Sequence, residues 1–125
     1  MIKYLYFRAE ATVANDDATG DSVCYPVSSL LGMEPTSDTE LTLYFKQLSN
    51  IFSDSEDADD NEGKTDIVKL TVGTNAHKTA MKNIVDAIVY GNESFIVVGD
   101  DRSTVTEYIS GITAVVSITV RGVNN

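Results

Sequence analysis

Histidine and cysteine, the side chains most used for nucleophilic and metal chemistry near neutral pH, occur once each, as His77 and Cys24, and the chain has no tryptophan. A reactive thiolate needs a base beside it and a third group that orients the base. Neither residue is flanked by the local signatures that accompany such pairs. His77 falls on the apolar side of an expected helix, in its first turn, where the helix N-terminus disfavours protonation. A packed, neutral ring is the expectation there. A zinc site built around one histidine and one cysteine would need carboxylates for its remaining ligands, which is uncommon. Gly73 lies between an expected strand and the helix, but Val72-Gly73-Thr74-Asn75 is neither a Walker loop nor a dinucleotide fingerprint. No catalytic residue, cofactor or structural metal is therefore expected.

Carboxylates are the one abundant reactive group. Six of the nine residues from Asp54 to Glu62 are acidic: Asp54, Glu56, Asp57, Asp59, Asp60 and Glu62. Hard cations such as calcium take several oxygen ligands, and crowded like charges are relieved by a cation. The spacing is not that of an EF-hand. A loop opened at Asp57 puts Asp59 and Asn61 at the third and fifth positions, but Glu62 where the turn glycine belongs and Val68 where the closing glutamate belongs. A solvated acidic loop, mobile over 53–64, is the expectation, with those six residues as candidates for weak cation binding. The other carboxylates leave a hydrolytic reading open, which requires a concave pocket where Asp or Glu side chains converge.

The elements that position these groups follow from hydrophobic periodicity. Ile2 to Arg8 is aromatic and β-branched, with Ile2, Tyr4 and Tyr6 on one face and Leu5 and Phe7 on the other. Apolar groups on both faces mark a strand that is central or takes part in a subunit contact. Val23, Tyr25 and Val27 suggest a second strand that ends or lies at an edge, because Pro26 cannot donate to a ladder. Ser28 to Thr39, with Gly32 and Pro35, reads as a long connection in which Leu30, Leu31 and Met33 plug the core. Leu41, Leu43 and Phe45 define a half-buried strand, and Val68, Leu70 and Val72 its antiparallel partner across the acidic loop. A helix over 76–90, with Asn75 as N-cap and Gly91 as C-terminal glycine, presents Ala80, Met81, Ile84, Val85 and Ile88 on one face. Phe95-Ile96-Val97-Val98 is a short strand, 104–110 is extended with Val105 and Ile109 buried, and Ile112, Ala114, Val116, Ile118 and Val120 alternate along a last strand. Phe7, Phe45 and Phe95 are expected in the core. The fold class is α+β, mainly β: an antiparallel sandwich or open barrel with one amphipathic helix packed against it.

A chain of 125 residues with 42% hydrophobic residues fits a single domain with a core of its own. A formal charge of −10 repels phosphate backbones and anionic membranes, so neither nucleic acid nor membrane is an expected partner. One cysteine precludes an internal disulfide, and the N-terminal residues lack the long apolar segment of a signal peptide. Tyrosine offers large area and a polar tip, which suits subunit contacts. Tyr4, Tyr6, Tyr25 and Tyr44 are thus candidates for an interface as well as for the core.

Several segments resemble small proteins encoded by T-even-like marine cyanophages and found in marine metagenomes. The resembling pieces are Ile2-Lys3-Tyr4-Leu5-Tyr6-Phe7-Arg8, Gly32-Met33-Glu34-Pro35-Thr36-Ser37-Asp38-Thr39, Leu41-Thr42-Leu43-Tyr44-Phe45, His77-Lys78-Thr79-Ala80-Met81-Lys82, and the ending from Tyr108-Ile109 to Ile118-Thr119-Val120. The resemblance carries no catalytic residues. It implies a viral setting, in the virion or the host cytoplasm, and a virion-associated component that is commonly homo-oligomeric. The first expectation is a non-enzymatic structural or assembly protein whose partners are itself and other virion proteins. The alternative is a small binding module whose acidic 54–62 loop takes a cation or a basic partner.

Overall fold

The computed structural model describes residues 2–12, 20–47, 65–102 and 106–120. The strands are β1 (Tyr4–Arg8), β2 (Ser22–Pro26), β3 (Leu30–Ser37), β4 (Glu40–Phe45), β5 (Asp66–Val72), β6 (Phe95–Asp100), β7 (Glu107–Tyr108) and β8 (Ile112–Thr119). A 3₁₀ turn at Val27–Ser29 joins β2 to β3, and the helix α1 (His77–Tyr90) joins β5 to β6. The strands form two four-stranded sheets, β2-β1-β6-β7 and β3-β4-β5-β8, which do not close into a barrel. Alternating side chains fill the space between them. Leu5, Phe7, Val23, Tyr25, Ile96 and Val98 come from the first sheet, and Leu41, Leu43, Phe45, Val68, Leu70 and Val72 from the second. Phe45 sits at the junction, edge-on to Phe7 at 5.8 Å and stacked on Tyr25 at 4.1 Å. The mainly-β α+β fold expected from the sequence is the fold observed. Every strand pair is antiparallel except β1–β6, which is parallel because the chain crosses to the second sheet and through α1 before returning.

Three local expectations are corrected. The stretch read as a connection is mostly the strand β3: Gly32 and Pro35 are tolerated because β3 lies at a sheet edge, where a missing donor costs nothing. Leu31 is 54% exposed, while Leu30 and Met33 do pack against the core. In β8 simple alternation fails. Lys69 faces Ser117 and Leu70 faces Val115, so Val116 is an extra residue; Thr71 faces Ala114 and Val72 faces Ile112, so Thr113 is another. Each bulge flips the side-chain phase. The buried residues become Ile112, Val115 and Ile118, and Val116 is half exposed. Of the segment expected to be extended over 104–110, residues 106–110 are described: Glu107–Tyr108 is strand and Ile109 packs on the core, while Val105 lies outside the described residues.

The helix begins one residue later than expected, with Ala76 at the N-cap and no side-chain cap. Asn75 instead takes a left-handed φ of 63°, a conformation asparagine tolerates, in a turn closed by Ala76 N–H on the Gly73 carbonyl at 2.9 Å. Ala80 and Ile84 are fully buried, flanked by Met81, Ala87 and Ile88, whereas Val85 is 44% exposed. A narrow buried stripe fits a helix laid across one end of the sandwich. Three contacts fix it there. His77 Nε2 meets the Ser37 and Glu40 carbonyls at 2.8 and 3.2 Å, Asn83 donates to the Ser110 carbonyl at 2.8 Å, and Lys3 Nζ donates to the carbonyls of Ile88 and Gly91 at 2.5 and 2.8 Å. Lys3 thereby caps the helix C-terminus, where unpaired carbonyls and the helix dipole favour a cation. Gly91 is extended there, and its role is space: a Cβ would lie 2.5 Å from the Ala87 carbonyl oxygen. Gly111 combines a φ of 102° with close approach to Ala80, which seats the β7–β8 turn on the helix.

Candidate interaction surface

The outer faces of the two sheets differ in chemistry. On the β3-β4-β5-β8 sheet the outer face of β3 and β4 carries polar groups that pair with one another, beside the exposed Leu31 and, on β8, Val116. Thr42 and Thr36 share a hydrogen bond at 2.8 Å, Thr36 donates to Glu40 at 2.8 Å, and Tyr44 donates to Glu34 at 2.6 Å. The bonded Glu34 carboxylate pushes the Tyr44 phenol pKa up. On the other sheet, the alternation that sends Leu5 and Phe7 inward sends Tyr4 and Tyr6 outward. Tyr4 lies opposite Phe95, and Tyr6 opposite Val97 on one side and Cys24 on the other. The Tyr6 and Phe95 rings meet at 5.1 Å. Tyr4 is 41% and Phe95 52% exposed, and Ile2, at 72%, extends the same face. This uncharged aromatic surface lies on the central strands of the sheet.

The four candidate tyrosines therefore part company. Tyr4 and Tyr6 are together on this face, and Tyr44 is on the other sheet. Tyr25 is removed from the interface set. It is fully buried within the chain, stacked on Phe45, and its hydroxyl donates to the buried Asp66 carboxylate at 2.8 Å. Burial, the hydrogen bond and the carboxylate charge all push the Tyr25 phenol pKa up. Phe95, expected in the core, belongs instead to the exposed face. Its parity against Ile96 and Val98 carried that signal, since only one of two adjacent strand residues can point inward.

The possible chemical groups are engaged in structure. Cys24 is on the outer face of β2, where burial pushes its thiol pKa up and so disfavours the thiolate. His77 belongs to the contact of α1 with the β3–β4 turn. At the far end of β6, Asp100 lies 3.8 Å from the Arg8 guanidinium, which also donates to the carbonyls of Glu10 and Thr12. Asp101 accepts from Tyr108 at 2.5 Å and from the Val115 amide at 3.1 Å. Burial and the Asp101 bond push the Tyr108 phenol up to about 12. Among the described residues no three His, Cys, Asp or Glu side chains group as a metal site, and no helix is long and apolar enough to cross a membrane. The cation candidates Asp54, Glu56, Asp57, Asp59, Asp60 and Glu62 lie outside the described residues.

Two grooves flank the helix C-terminus. One, of about 470 Å³, is lined by Ile2, Lys3, Pro26, Val27, Ser28 and Ile88. The other, of about 360 Å³, runs along β6 beneath Ala87 and Gly91, with Glu93 and Glu107 on its walls. The chain matches no protein-family model, no curated protein and no solved structure.

Proposed function

We propose that the chain is a non-enzymatic structural or assembly protein that works as a homo-oligomer, in keeping with its resemblance to cyanophage proteins and a virion-associated role. The observation that supports this reading is the aromatic outer face of β1 and β6, formed by Tyr4, Tyr6, Phe95 and Val97. A sheet that needed only to cover its own core has no need of clustered, exposed aromatic rings on its central strands. Charge also argues for a second copy as the occupant. With a net charge of −10 two chains repel, and these four side chains carry no charge, so copies meet there at least electrostatic cost. The test is solution mass by light scattering behind size-exclusion chromatography, at low and high salt. An oligomer that persists in both, and that Tyr4→Glu converts to monomer, is the expected result. A wild-type chain that stays monomeric at high concentration refutes the reading.

A further inference from the structure

The parallel pairing of β1 with β6 leaves a window in the first sheet. Tyr4 N–H bonds the Ser94 carbonyl at 2.8 Å, and Tyr4 lies opposite Phe95. In a parallel ladder alternate residues turn their backbone groups to the same neighbour. The N–H and C=O groups at Ser94 and Ile96 thus face β1, and those of Phe95 and Val97 face the other way. On that far side β7 pairs only with Gly99 and Asp100, and Ile109 N–H bonds the Val98 carbonyl at 3.0 Å. The chain then turns off toward β8, with Ile112 N–H on the Ile109 carbonyl. Among the described residues no strand pairs with β6 beside Phe95–Val97. The 360 Å³ groove occupies that slot, between β6 and the helix C-terminus.

We infer that this groove is a strand-addition site for an extended peptide segment carrying basic side chains, supplied by a partner protein. An extended segment continuing the line of β7 would take the outward backbone groups of Phe95 and Val97 into a ladder, the mode by which peptides add to open sheet edges. Charge selects the partner. Glu93 and Glu107 are both exposed at the groove wall and no Lys or Arg is among the described residues that line it, so the site favours lysine or arginine and disfavours a second copy of this acidic chain. The slot shares Phe95 and Val97 with the aromatic face but uses their backbone groups, not their side chains, so it does not rest on the aromatic-face reading. Light scattering reads the face and amide measurements read the edge, so either can fail alone.

The experiment is NMR on the full chain, with an alternating lysine–valine peptide as probe and its glutamate–valine counterpart as control. In the free protein the Phe95 and Val97 amides should exchange with solvent much faster than Ile96. The lysine peptide should protect them and shift their resonances, and the glutamate peptide should not. Glu93→Lys with Glu107→Lys, at exposed positions that leave the fold intact, should weaken the lysine peptide at least about tenfold. Equal binding of both peptides overturns the proposal. So does protection of Phe95 and Val97 in the free monomer to the level of Ile96, or protection that rises with protein concentration, which would put a second copy in the slot.

Discussion

Replacing Tyr25 by Phe isolates a hydrogen bond that joins the two sheets through the core. Tyr25 on β2 and Asp66 at the start of β5 belong to different sheets, both fully buried, and are joined at 2.8 Å. Phenylalanine keeps the ring stacked on Phe45 and removes only the donor, so packing changes little. The loss is that of a bond to a buried carboxylate, about 2 kcal/mol. With a urea dependence of about 1.5 kcal/mol per molar, the unfolding midpoint should fall by about 1.3 M. The phenol also predicts the alkaline limb. Its pKa is raised in the folded chain, so its stabilising contribution is complete below the unfolded-state value of ~10 and is lost as pH rises beyond it. At about pH 11 the gap between wild type and Tyr25→Phe should therefore be narrower by about 1.4 kcal/mol than at neutral pH. Urea melts followed by fluorescence and circular dichroism across that range measure both effects. A variant as stable as wild type at neutral pH, or a gap that widens with pH, would refute a hydrogen-bonded buried pair.

The bulges of β8 and the capping role of Lys3 are open to equally direct checks. Val115→Thr places a hydroxyl in the core and should cost about 1–3 kcal/mol, whereas Val116→Thr should stay within about 0.5 kcal/mol; strict alternation demands the reverse order in urea melts. Lys3→Met keeps the aliphatic stem and removes the ammonium from the Ile88 and Gly91 carbonyls. It should cost about 1 kcal/mol and speed hydrogen exchange in the last turn of α1 while leaving the sheet amides unchanged.

Where periodicity was undisturbed, the fold was legible in the chain. Leu5 and Phe7, Leu41, Leu43 and Phe45, and Val68, Leu70 and Val72 all point inward as their spacing requires. The failures occur where tertiary context resets a local rule. The phase of β8 depends on which residue of β5 it meets, and nothing within Ile112–Val120 records that Val116 and Thr113 fall outside the register with β5. β3 forms despite Gly32 and Pro35 because it has only one neighbour, a property of strand order and not of composition. Lys3 as a helix cap joins residues 85 and 88 positions apart, beyond the reach of any spacing argument. Of the candidate surface, Tyr4 and Tyr6 were readable from alternation. The edge beside Phe95 was not, since it exists only because β7 is short.

How the sheet margins are finished bears on which contacts a second chain can make. Exposed edges invite indiscriminate strand pairing, and here several are blunted. β2 ends at Pro26, and β3 carries Pro35 within its length. On β8, the outermost strand of its sheet, the Val115 amide is taken by the carboxylate of Asp101, the residue that follows β6. That carboxylate is itself held by Tyr108, so the phenol that orients it also helps keep the amide occupied. With these margins blunted, backbone pairing at β2, β3 and β8 is disfavoured. What remains accessible is the aromatic face of β1 and β6, which suits a flat apolar contact, and the short acidic-walled slot beside Phe95, which suits a strand. Phe95 offers its ring to the face and its backbone to the slot, so the two contacts draw on different groups of the same residue, and a partner's strand and a second copy need not compete for β6.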